Sequence, residues 1–121
     1  MGCALRLLPL LVLAPTIALA EPWDATDRAL GVAAVSALVI DWGQTRDIVK
    51  RPHDYEERNP LLGKHPSMGR VNLICAGSIA ATLLTADWLT SKNRKIFLGT
   101  ITAIELTVIG HNKNIGLRVS F

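Results

Sequence analysis

At 121 residues the chain has room for one domain, and its composition is half apolar, 5% aromatic and 19% charged, with a mean hydropathy of +0.31. That balance favours a membrane over a soluble domain of this size. The formal charge of +3 comes from bases interleaved with acids, with no basic stripe, so nucleic-acid binding is excluded. Of the two cysteines, Cys3 sits in a targeting segment and Cys75 in an apolar run, so neither is expected to be structural and a disulfide framework is excluded.

Residues 1–20 read as a signal peptide. Arg6 lies in a short n-region, residues 7–19 form the apolar h-region, and Ala18-Leu19-Ala20 supplies the small-x-small cleavage pattern. The h-region is short for ~30 Å of hydrocarbon, and Pro9 and Pro15 weaken it as a helix. An uncleaved anchor is the alternative. No cysteine stands at the cleavage point, so this is not a lipoprotein signal.

Residues 21–121 then read as a single all-α domain, a three-helix membrane bundle with a structured polar linker between its first two helices. The first helix is expected over about residues 25–50. Asp24 to Asp27 offer an N-cap and first-turn acids, residues 29–40 are apolar all round except Ser36, and Pro52 ends the helix. The second is expected over residues 68–90, after a Ser67 cap. Its small residues Ala76, Gly77, Ala80 and Ala81 would admit another helix at close range, either a second copy or another membrane protein. The third is expected over residues 94–110, with Gly110 as C-cap. It is marginal as a span: eight large apolar residues favour insertion by roughly 2.5–5 kcal/mol together, and Glu105 opposes it by about 2.5–3.5. A small water-soluble helical bundle is the competing reading.

Counting bases only, the linker and tail carry Arg46, Lys50, Arg51, Arg58, Lys64, Arg70, Lys113 and Arg118, against Arg28, Lys92, Arg94 and Lys95 at the other end. That asymmetry puts linker 51–67 and the C-terminus in the cytoplasm and the mature N-terminus in the periplasm of a bacterial inner membrane.

Each helix carries an acid: Asp41, Asp87 and Glu105. Ionisable groups at membrane depth are costly, so they mark a site or a partner. Helical spacing puts Asp41, Gln44 and Thr45 on one face of the first helix, and Glu105 and Asn112 near one face of the third. A polar cluster of Asp41, Gln44, Thr45, Glu105, His111 and Asn112 is therefore expected at the cytoplasmic face, roofed by a linker that adds Glu57 and Asn59. Within the linker, Asn59-Pro60 reads as cap plus first helical position and Gly63 as its close, giving one turn over residues 60–62. Tyr55, Trp23, Trp42 and Trp88 suit membrane boundaries.

Asp41, Glu57, Glu105 and His111 are the candidate acid–base groups. Each has a structural alternative: the acids as hydrogen-bond partners holding the bundle, Asn59 as a cap, and His53 and His65 as plain loop residues. His65 and His111 are weak metal candidates, because no two histidines stand at short ligand spacing. No nucleophile elbow, phosphate loop or dinucleotide fingerprint is present, and no cofactor is implied. The last residues, 115–121, alternate apolar and polar, which suggests one short strand or an extended tail.

Asp41-x-x-x-Thr45 followed by Glu57-x-Asn59-Pro60 resembles small uncharacterised bacterial membrane proteins with a D-x-x-x-T helix end and an E-x-N-P loop. The resemblance covers about residues 41–62 and implies a multi-helix membrane protein, with no reaction and no catalytic residues. The leading expectation is a non-enzymatic accessory or assembly component in the lipid bilayer. The alternatives are a membrane enzyme or ion- or proton-handling protein using the acidic and histidine groups, and a phage-type holin.

Overall fold

The computed structural model describes residues 20–121, so all of the expected signal peptide except Ala20 lies outside the described residues. Three helices follow in order: α1 (Ala25–Lys50), α2 (Met68–Trp88) and α3 (Ser91–Asn114). No strand occurs among the described residues.

Local chemistry sets each helix end. The Asp24 carboxylate accepts from Asp27 N at 2.7 Å while Asp27 accepts from Asp24 N at 3.1 Å, a reciprocal capping box that starts α1. Arg51, which precedes Pro52, closes it. Ser67 caps α2 through Arg70 N at 3.2 Å. Thr90 caps α3 through Asn93 N at 3.4 Å, so that helix begins at Ser91, ahead of the expected start. It also runs past Gly110, which is not its cap. Gly116 has φ +97°, its N–H donates to Lys113 O at 3.0 Å, and Leu117 N donates to Asn112 O at 2.9 Å. Those two bonds satisfy the last carbonyls in the pattern that a left-handed glycine makes possible. A Cβ at Gly116 would stand 2.7 Å from Tyr55 Oη, a second reason for glycine there.

α1 is the centre of the fold; α2 and α3 each pack on it more extensively than on one another. Trp23 Nε1 donates to Asp87 and Trp42 Nε1 to Asn72, both at 3.0 Å, which sets α2 antiparallel to α1. Asp27 meets Arg94 and Gln44 meets the Ile109 carbonyl, which sets α3 parallel to α1. One apolar cluster joins Ala34, Leu38, Ala86, Leu89, Phe97, Leu98 and Ile101. A second joins Leu62 of the linker to Val71 and Cys75. Cys75 is not a free thiol, which corrects the expectation that it has no structural part.

Beside this apolar core the interior also holds polar and charged side chains, while several large apolar side chains lie outside. The buried face of α2 is Val71, Cys75, Ser78, Thr82 and Ala86, mostly small or polar, with Ile74 and Ile79 half-buried beside it, while Leu73 is 73% and Trp88 72% exposed. Val32, Leu84, Ile96 and Leu106 are also exposed, whereas Asp27, Asp41, Thr45, Arg94, Glu105 and Asn112 are buried. Several helix hydroxyls bond within their own helix: Ser78 and Thr82 each donate to the carbonyl four residues back at 2.8 Å, and Thr100, Thr102 and Thr107 also donate four residues back.

Among the described residues, α2 alone is long and apolar enough to cross a membrane. Its 21 residues rise about 31 Å, the thickness of the hydrocarbon layer. The expectation of three such helices is thereby narrowed. α1 and α3 are less apolar along their lengths, and Asp27, Asp41, Arg94 and Glu105 within them are buried.

Candidate functional site

The centre of the expected cluster forms where the C-terminal half of α1 meets the end of α3. Asn112 Nδ2 donates to Gln44 Oε1 at 3.0 Å and to Asp41 Oδ1 at 3.4 Å, and Gln44 Nε2 reaches the Ile109 carbonyl at 3.3 Å. Thr45 Oγ1 donates to the Asp41 carbonyl at 2.9 Å. The threonine of D-x-x-x-T thus returns its hydroxyl to the helix and leaves the Asp41 carboxylate facing Asn112. All four residues are buried.

Glu105 is buried on the same helix as Asn112 and about 10 Å deeper along the axis. His111 stands elsewhere, exposed at the rim of a cleft. Glu57 and Asn59 form a separate group. Glu57 Oε1 accepts from Arg58 N at 2.9 Å and Asn59 N at 3.0 Å, while Asn59 Oδ1 accepts from Leu61 N at 3.0 Å. Leu62 N and Gly63 N then donate to Asn59 O, and Gly63 at φ +82° closes the turn. The E-x-N-P residues therefore fold the linker on itself. Leu62 is buried, whereas Leu61 is 41% exposed.

The linker does roof this end. A cavity of about 290 Å³ is lined by Ile48, Asp54, Tyr55, Glu56, Arg58, His111, Asn112, Ile115 and Leu117. Tyr55 Oη donates to Ile115 O at 2.8 Å and fixes one wall. Arg51 ties Asp47 to the Gly116 carbonyl and lies over the Tyr55 ring at 4.7 Å. Arg118 N donates to Asp47 at 2.8 Å and Ser120 N to Gly43 O at 3.1 Å, so after the turn at residues 115–116 the tail, residues 117–121, runs along α1. Arg46 bonds both Asn72 and Ser120 O, and Phe121 packs edge-on against Trp42. A Cβ on Gly43 would meet Val119 at 2.5 Å and Phe121 at 2.8 Å, so glycine admits the tail. No group of three or more metal-ligating side chains occurs among the described residues, and the structure does not bring His65 and His111 into one.

The opposite end holds a network that the sequence reading did not single out. Arg94, fully buried, donates to Asp27 at 2.9 Å, to the α2-end carbonyls of Ala86 and Leu89 at 2.8 Å each, and to Glu21 O at 2.6 Å. It also lies over the Trp23 ring at 4.9 Å. Lys95 Nζ bridges Asp24 at 2.7 Å and Asp27 at 2.8 Å. The hydrogen bond from Lys95 holds the Asp24 carboxyl below the usual carboxylate range. One guanidinium thus satisfies the carbonyls that end α2 and the carboxylate that starts α1. The signal available in the sequence was two bases beginning a helix, where the dipole disfavours them, so they needed an acid from elsewhere.

No protein-family model, no curated protein and no solved structure matches this chain.

Proposed function

We propose that the protein is a small integral inner-membrane protein that acts as an accessory or assembly component, its polar interior fixing how the helices pair. The observation that carries this reading is the exposure of large apolar side chains around an interior that holds charged and polar groups beside its apolar core. Val32 and Ile40 of α1, Leu73, Leu84 and Trp88 of α2, and Ile96 and Leu106 of α3 face outward, while carboxylates, amides and a guanidinium lie between the helices. In water that arrangement exposes the groups that should be buried; in lipid it satisfies both. α1 and α3 then cross beside α2 because their charges are sheltered by one another. The excess of bases on the linker and tail supports a cytoplasmic placement of that end. In this reading the D-x-x-x-T and E-x-N-P residues are structural, as their hydrogen bonds within the helix end and the linker suggest.

A second reading, ion or proton handling, draws on one feature: the cavity under the linker reaches Asn112, whose amide touches the Asp41 carboxylate. Asp41→Asn and Glu105→Gln separate the two. The accessory reading expects both variants to lose detergent stability and wild-type proteoliposomes to show no proton flux above protein-free vesicles. Flux that the variants abolish without loss of stability would replace it with the second reading.

A further inference from the structure

We propose that the cavity beneath the linker binds an ethanolamine phosphodiester, the zwitterion carried by phosphatidylethanolamine, at the membrane face. The proposal rests on the membrane reading above and adds a ligand to it.

Past a turn at residues 52–54, the linker divides its polar side chains between the cavity and the protein interior. Asp54, Glu56 and Arg58 line the cavity, whereas Glu57 and Asn59 are buried behind it. Glu57 and Asn59 brace this stretch by accepting from the N–H groups of Arg58, Asn59 and Leu61. Glu57 N also donates to Lys64 O at 2.9 Å. The three charged side chains therefore stand on a braced rim.

Their chemistry is that of a zwitterion receptor. Asp54 and Glu56 supply carboxylates for a primary ammonium, and Arg58 supplies a planar donor fork that matches a phosphodiester. His111, in the last turn of α3, adds a second donor on the facing wall. The floor is the buried Asn112, already tied to Gln44 and Asp41. Ile48, Ile115 and Leu117 make the remaining wall apolar, and Ile115 is also 47% exposed beside the opening, where an acyl chain would leave. About 290 Å³ suits a headgroup rather than a larger ligand. Tyr55 and Trp42 mark the same end of the bundle as the headgroup level.

The test uses the full chain in detergent micelles, with the thermal midpoint read as lipid is added. Phosphatidylethanolamine, phosphatidylcholine and phosphatidylglycerol are compared, together with water-soluble glycerophosphoethanolamine. Expected is stabilisation by phosphatidylethanolamine at an at least about tenfold lower concentration than by phosphatidylcholine, which lacks ammonium donors, or by phosphatidylglycerol, which lacks the amine. Arg58→Ala should weaken the phosphatidylethanolamine response about tenfold or more. Asp54→Asn with Glu56→Gln should erase the preference over phosphatidylcholine. All three positions are exposed, so the lipid-free midpoints should match wild type. If glycerophosphoethanolamine acts at the same concentration as the lipid, the natural source is the free diester; if it acts only far above it, the source is the bilayer. Equal responses to all three lipids, or variants that respond as wild type, overturn the proposal. Those results leave the membrane reading standing, since extraction from membranes tests it separately.

Discussion

Replacing Asn112 by leucine removes the α3 amide that reaches the polar face of α1. Its donor reaches Gln44 Oε1 at 3.0 Å and Asp41 Oδ1 at 3.4 Å. A neutral hydrogen bond is worth about 0.5–1.5 kcal/mol net, and one to a charged acceptor about 1.5–3. The longer contact counts at the low end, and pairs inside membrane bundles average only about 0.6 kcal/mol. The expected loss is therefore roughly 1–3 kcal/mol, read from unfolding of the solubilised protein against increasing denaturing detergent. A sharper form of the test adds Gln44→Leu. Once Asn112 is gone the glutamine oxygen is a buried acceptor without its donor, so removing it too should cost less than its single-variant loss, by about 1 kcal/mol. Strictly additive losses, or a neutral Asn112→Leu, would refute the view that this trio holds α3 on α1.

Gly43→Leu should displace residues 117–121, because the new side chain occupies the space of Val119 and Phe121. Faster proteolysis of the tail and a change in Trp42 emission would register it, and an unchanged tail would count against the packing described. Arg94→Met should lower the thermal midpoint more than any substitution at an exposed base such as Lys92, since three carbonyls and Asp27 lose a donor at once. Acidification probes Asp24. Its carboxyl is held below the unfolded value of 3.8, so its contribution is present above that pH and is lost as pH falls through the lower folded value. Between pH 6 and pH 3 wild type should lose more stability than Asp24→Asn; equal losses would remove Asp24 from the account.

The helices were legible because their signals are local. Asp24, Ser67 and Pro52 mark ends by short-range hydrogen bonding or steric exclusion, and the structure uses each at its expected place. Gly110 misled for the same local reason: a glycine after an apolar run looks like a cap. The helix continues because Asn112 is anchored to α1 and Gly116 offers a better-supported termination. Face-sharing on α1 and α3 foretold the Asp41, Gln44 and Asn112 contact. Spacing alone could not tell that His111 turns to the cleft rim while Asn112, one residue on, turns inward. The Asp27–Arg94–Lys95 network joins residues 67 and 68 apart, and nothing short of the helix pairing itself announces it. Likewise the small residues Ala76, Gly77 and Ala80 lie on the exposed face of α2, whereas Ser78, Thr82 and Ala86 face inward.

Alkaline carbonate extraction of membranes from cells making the full chain asks most directly which solvent surrounds these helices. An integral protein with Leu73, Leu84 and Trp88 in lipid stays in the pellet and is released only by detergent. Recovery in the carbonate supernatant, or in the soluble fraction before it, would contradict the account.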